Sequence, residues 1–187
     1  MDLCNINEIK SLLTRHGFRF SKSMGQNFLT AHWVPEDMVA GAGVGEKHGV
    51  LEIGPGIGPL TVQLADAAAK VVAVELDRAL LPVLAETLSG RDNVEVVSGD
   101  ILKLDIPALV EEKFHGLTPM ACANLPYNIT TPVLTTLIEA KCFCAITVMI
   151  QREVAARICA APGSADYGAF SVYCQYHAVP ERLFDVP

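Results

Sequence analysis

Val50-Leu51-Glu52-Ile53-Gly54-Pro55-Gly56-Ile57-Gly58-Pro59 decides the fold. Its apolar start reads as a buried strand over 50–53, and three alternating glycines form the turn that follows. Glycine allows a tight turn and close approach of a ligand to the backbone. A dinucleotide fingerprint would need glycine at 54, 56 and 59, but residue 59 is proline. The loop is therefore suited to a nucleoside without a pyrophosphate on the helix N-terminus.

The pattern repeats outward from this stretch. A helix is predicted over 60–69, a strand over 70–74, and a helix through 84–88 whose start Pro82 disturbs. Strands are predicted over 94–97, 120–123 and 144–150, with a helix over 132–140. Upstream, Asn5 and Glu8 resemble a capping box, followed at helical spacing by Ile6, Ile9, Leu12 and Leu13, with Gly17 at the exit. A second short helix starts near Pro35, and Gly41, Gly43, Gly45 and Gly49 mark a loop. Short apolar strands alternating with amphipathic helices make an α/β fold, a doubly wound, mostly parallel sheet covered on both faces. In such a sheet ligands bind at the carboxyl ends of the strands.

A length of 187 residues fits one domain, and a hydrophobic content of 51% excludes a disordered chain. The longest uncharged stretch, 114–138, is interrupted by Pro119, Asn124, Pro126, Asn128 and Pro132, which excludes a membrane span there. The first residues lack the basic-then-apolar order of a signal peptide, so a cytoplasmic location is expected. Cysteines at 4, 122, 142, 144, 159 and 174 show no repeated paired spacing. Cys142 and Cys144 are read as neighbours on one side of a strand, the thiols as reduced and mostly buried, and no metal site is expected. The net charge of −7 argues against a surface that binds nucleic acid throughout. Lys10, Arg15, Arg19 and Lys22, with His16 among them, read first as a solvated helix face, and a local basic strip of this kind is compatible with RNA. His32, His48, His115 and His177 have no partners arranged in the sequence and read as surface or packing residues.

Three further strand ends carry chemistry. Glu75 ends the second strand, 21 residues past Gly54, the offset at which an acidic residue meets a ribose diol. Asp100, after Gly99 at the third, is placed to accept a hydrogen bond from an adenine amino group. At the fourth, Asn124-Leu125-Pro126-Tyr127 is a polar turn with an aromatic. The Asn124 side-chain oxygen and the Leu125 or Pro126 carbonyl can each accept one hydrogen of an exocyclic NH2 group. Tyr127 offers a face on which a base stacks.

With these residues in view, the chain resembles the small-subunit (16S-type) ribosomal RNA adenine N6-dimethyltransferase family over nearly its whole length. Gly25-Gln26-Asn27-Phe28-Leu29 is similar to that family's N-terminal cofactor segment, and Glu52 to Gly58 to its S-adenosylmethionine loop. Val74-Glu75-Leu76-Asp77 is similar to the ribose-binding strand end, and Gly99-Asp100 to the adenine-binding turn. Asn124-Leu125-Pro126-Tyr127-Asn128-Ile129-Thr130-Thr131-Pro132 is similar to the catalytic loop. Gln151 to Ala155, and Pro162-Gly163-Ser164 to Tyr167-Gly168, resemble later family segments.

The resemblance implies a Rossmann-like class I S-adenosylmethionine-dependent methyltransferase, in which a final strand inserts antiparallel between the fifth and sixth. It implies cofactor binding by Gln26, Asn27, Leu29, Gly54, Gly56, Glu75, Asp100, Ile101 and Asn124, and catalysis by Asn124, Leu125, Pro126 and Tyr127. The implied substrate is small-subunit ribosomal RNA, met as a pre-small-subunit particle by a monomeric enzyme. Residues 1–35 would form a helical cofactor and RNA segment. Family members continue past Pro187, so the chain reads as a catalytic domain whose sixth strand is cut short at 178–187 and which lacks the last strand and a C-terminal helical domain. Such a chain is expected to hold its cofactor but to methylate poorly, and to expose a sheet edge near 144–150. Two rival readings stay open: a large-subunit methyltransferase of the antibiotic-resistance type, and a non-catalytic factor that inspects ribosome assembly.

Overall fold

A computed structural model describes residues 1–18 and 29–186. The chain forms two compact units, 1–149 and 150–187, where length alone suggested one domain.

The first unit is built on five parallel strands: β1 (His48–Ile53), β2 (Lys70–Glu75), β3 (Val94–Ser98), β4 (Thr118–Asn124) and β5 (Ala145–Met149). Their spatial order is β3-β2-β1-β4-β5. The chain thus winds one way from β1 to β3, then returns past β1 to β4 and β5. That reversal opens a crevice at the carboxyl end of the sheet between β1 and β4, the place where this topology receives ligands. β1 is buried along its whole length, as a strand covered on both faces must be. Among the described residues β5 pairs with β4 alone and lies at one edge of the sheet.

Helices α1 (Ile6–Arg15), α2 (Trp33–Ala42), α3 (Pro59–Ala67), α4 (Leu81–Thr87), α5 (Ile106–Lys113) and α6 (Thr130–Ala140) complete the unit. Pro82 does not disturb α4, because it stands in the first turn, where no amide is needed. Pro59 opens α3 in the same way. α2 runs through Gly41 and ends at Gly43, whose φ of +66° closes the helix. At α1 the Asn5 side chain accepts from the Asn7 and Glu8 amides. The reciprocal arm of the capping box is absent: Glu8 Oε2 instead accepts from the Asp2 amide at 2.7 Å. Ile9, Leu12 and Leu13 of α1 pack with Ile57, Leu80 and Val83, so this helix pins the glycine loop and the residues after β2 from above.

The second unit carries α7 (Arg152–Ile158) and α8 (Ala169–His177). Gln175 Nε2 donates to the carbonyls of Ile158 and Ala160, and Ser171 Oγ donates to Arg157 O, which ties the two helices together. Neither helix was predicted, since both are short and only weakly patterned. Residues 178–186 form no strand, so the sixth strand expected there is not present among the described residues, nor is an antiparallel strand.

Two smaller expectations also change. Cys142 and Cys144 precede β5 in a loop, and neither shares a strand face. Of the six free thiols, Cys4, Cys122 and Cys174 are buried, Cys142 is partly buried, and Cys144 and Cys159 are exposed. His32 and His48 do have partners: His32 Nε2 stands 3.1 Å from Asp2 Oδ2, and His48 Nδ1 accepts from the Gly45 amide at 2.9 Å. His177 packs edge-on against Tyr173 and Tyr176.

Candidate active site

A cleft of about 220 Å³ opens at the carboxyl ends of β1, β2, β3 and β4. Leu29, Gly54, Gly56, Glu75, Asp100, Ile101 and Asn124 all line it, together with Leu125 and Pro126. Gln26 and Asn27 lie outside the described residues, as do Arg19 and Lys22.

The loop after β1 needs its glycines. Gly54, Gly56 and Gly58 have φ of +64°, +64° and +95°, a region that side-chain-bearing residues rarely adopt. Gly54 N donates to Val74 O at 2.9 Å and Gly58 N to Pro55 O at 2.9 Å, which holds the loop flat against the sheet. Ile57 is fully buried and serves as its anchor.

Glu75 is held from two sides. Its Oε2 accepts from Gly56 N at 3.3 Å and its Oε1 from Asp77 N at 2.8 Å. The side chain is thereby fixed at the cleft with lone pairs left for a further donor such as a diol. Burial raises its pKa above the ordinary carboxylate value, while the amides of Asp77 and Gly56 oppose the rise. Asp100 is partly committed to its own turn: Oδ1 accepts from Leu102 N at 3.1 Å, and Oδ2 stands 3.4 Å from Lys103 Nζ.

The turn after β4 is more specific than its sequence. Asn124 is half-buried at the strand end, paired in register with Met149, and its side chain has no hydrogen-bond partner among the described residues. The Pro126 carbonyl accepts from Ile129 N at 3.2 Å and from Thr130 Oγ1 at 3.1 Å, which uses both lone pairs to start α6. Of the two backbone acceptors considered from sequence, Leu125 is therefore the one left for a ligand. Leu125's side chain itself is buried, and its role can only be that of its backbone. Tyr127 is half exposed at the start of the turn and does not line the cleft.

Glu52 was missed as a site residue in its own right. It lines the cleft from β1 at 1% exposure, and its Oε2 makes no hydrogen bond. Burial pushes its pKa up to about 8; the nearby Thr61 hydroxyl opposes the rise without hydrogen-bond geometry, and the Glu75 charge adds to it. The signal was legible: a carboxylate inside a fully buried run, Val50-Leu51-Glu52-Ile53, is costly unless something answers it. Taken together, Glu52, Glu75, Asp77 and Asp100 line the cleft, with no lysine, arginine or histidine among its described lining residues. Such a cleft suits a cationic ligand and repels a phosphate.

Two of the basic residues at the N-terminus are already engaged. Arg15 and His16 both pair with Glu86 on α4, His16 Nε2 at 2.6 Å.

Comparison with known proteins gives the same direction. Residues 17–187 match the family described as ribosomal RNA adenine dimethylase. Ribosomal RNA small subunit methyltransferase A of Alkaliphilus oremlandii is 47% identical over 179 residues, 95% of this chain and 62% of that protein. Among solved structures, a dimethyladenosine transferase from Plasmodium falciparum is 29% identical with a TM-score of 0.63, covering 75% of this chain and 49% of that one. The 23S rRNA methyltransferase ErmE is 32% identical with a TM-score of 0.65, covering 79% of this chain and 55% of that one. The chain spans a little under two thirds of the length of the curated relatives it matches. With a reversed-order parallel sheet, a glycine loop facing Glu75 and an Asn-Leu-Pro-Tyr turn on one cleft, the chain belongs to the ribosomal RNA adenine dimethylase family.

Proposed function

We propose that the cleft binds S-adenosylmethionine and that the protein of which this chain is part transfers methyl groups to the exocyclic N6 of adenosines in small-subunit ribosomal RNA. The observation that carries the reading is Asn124, unpaired among the described residues, on the same cleft as the Gly54–Gly58 loop and Glu75. The cleft fits the cofactor: it is acidic, it holds an orphaned buried carboxylate oxygen, and its glycines present bare backbone. Leu29, Gly54, Gly56, Glu75, Asp100, Ile101 and Asn124 would hold the group, with Gln26 and Asn27 completing the set. When bound, the group supplies an electrophilic methyl on a sulfonium.

The chain's own residues act on the base. An adenine amino nitrogen is a poor nucleophile because its lone pair is delocalised into the ring. Asn124 Oδ1 and the Leu125 carbonyl, each accepting one N–H, favour a more tetrahedral nitrogen with its lone pair directed along the line of attack. Tyr127, half exposed in the turn, would stack on a base drawn out of its helix. No general base is required, since the proton can leave after the nitrogen has become positively charged.

The test is Asn124→Ala in the full-length protein. Turnover on small-subunit particles should fall by at least a hundredfold, while cofactor and RNA binding are largely kept; retained turnover refutes the role. A second reading follows from the likeness to ErmE, which is as close in fold as the dimethyladenosine transferase. The relatives named for the small subunit, at 47% identity, favour the first. Methylation of separated subunits decides between them. We infer a monomer acting where ribosomes assemble in the cytoplasm; among the described residues no helix is long and apolar enough to cross a membrane.

A further inference from the structure

The buried carboxyl of Glu52 enters the reading above only as a sign that the cleft fits its ligand, and its surroundings are unusual. It sits on β1 with Oε2 making no hydrogen bond and with 1% of its surface exposed. The groups around it are Glu75 on β2, the Cys122 thiol on β4 and the Thr61 hydroxyl on α3. None of these is a cation, and burial pushes Cys122 up to about 12, so that thiol stays neutral. The Thr61 hydroxyl offsets the desolvation of a carboxylate here only in part, and the neutral acid is the stable form at neutral pH. A positive ligand in the same cleft would reverse that preference, because an opposite charge nearby favours the ionised form.

We propose that Glu52 is the ionisable counter-charge of the cleft, which loses its carboxyl proton when a cationic sulfonium nucleoside enters, so that cofactor binding releases a proton to solvent. The O–H bond of the carboxyl breaks, the proton leaves to buffer, and the carboxylate remains to face the ligand's positive charge. The inference rests on the cofactor assignment made above. It adds that affinity is coupled to pH through a buried carboxyl of β1. With Glu52 titrating near 8 in the free protein, affinity should rise up to tenfold per pH unit between 6 and 8 and level off above that. Glu75 also faces the cleft with a raised pKa, so its contribution must be separated.

The experiment is calorimetric titration of the chain with S-adenosylmethionine at pH 7.0 in two buffers of different ionisation enthalpy. The difference in apparent heat counts protons released. We expect close to one proton per ligand at pH 7.0 and close to none at pH 9.5. Glu52→Gln should abolish the release. S-adenosylhomocysteine, which lacks the sulfonium charge but keeps the ammonium, is titrated alongside: release with both ligands assigns the effect to the ammonium, and release with S-adenosylmethionine alone to the sulfonium. Either pattern supports the inference. Binding without proton release overturns it and leaves the cofactor assignment standing, as does release that survives Glu52→Gln. No binding of either ligand overturns the cofactor assignment itself. The wild-type measurement needs no variant to fold.

Discussion

Replacing Glu52 with Gln should stabilise the protein, and by an amount that depends on pH. The side chain is 1% exposed and its carboxyl titrates near 8 in place of the ordinary 4.5. Between these two values the unfolded chain has lost the proton while the folded chain keeps it. The unfolded state then binds fewer protons, so stability falls as pH rises. Each pH unit is worth about 1.4 kcal/mol, so the loss reaches about 5 kcal/mol once pH passes 8. Glutamine has nearly the same shape and does not ionise, so it escapes this loss. Its amide carries its own desolvation cost of about 1–3 kcal/mol, but that offset does not vary with pH. The assay is urea unfolding of both proteins at pH 5, 6, 7 and 8, with the difference in stability plotted against pH. The difference should grow in favour of glutamine by about 1.4 kcal/mol per unit across that window and flatten above it. A difference that stays constant from pH 5 to pH 8 would refute the reasoning, because it would mean that Glu52 is already ionised in the folded protein.

Other perturbations test separate parts of the account. A Cβ at Gly49 would stand 2.5 Å from Cγ and 2.9 Å from Cβ of the buried Phe114. Gly49→Ala should therefore cost about 1–3 kcal/mol in denaturant unfolding, whereas Gly90→Ala, whose Cβ meets open space, should cost only what its φ of +81° imposes. Leu12→Ala removes a fully buried side chain from the cluster of α1 with Ile57 and Leu80, and should lower stability by about 2–5 kcal/mol. Because that cluster holds the glycine loop, the same variant should also weaken S-adenosylmethionine binding in a direct titration. Glu86→Gln breaks the exposed pairs with Arg15 and His16, and we expect no measurable shift of the unfolding midpoint.

Much of the framework was legible because its signals are local. The strand runs at 50–53, 70–74, 94–97 and 120–123 are short, apolar and separated by helical patterns, and each falls within one observed strand. Proline in the first helical turn was misjudged at Pro82, since its effect depends on where a helix starts, and that is set by the turn before it. The helices α5, α7 and α8 went unread because tertiary packing, more than their own periodicity, supports them. At the site, the glycine loop, Glu75, Asp100 and Asn124 line one cleft, because parallel crossovers bring every strand's carboxyl end to the same edge.

The sequence by itself determined the succession of the five strands and of helices α1 to α4 and α6, the need for glycine in the loop after β1 and the side chains delivered to the sheet's carboxyl edge. Each of these follows from residue types within a few positions of one another. Only the tertiary structure decided that Pro126's carbonyl is consumed by Thr130 and Ile129, that Arg15 and His16 are drawn to Glu86, and that Glu52 is buried without a partner. Hydrogen-bond occupancy, charge pairing and desolvation depend on which groups meet in space, and a pattern of residue types does not carry that information.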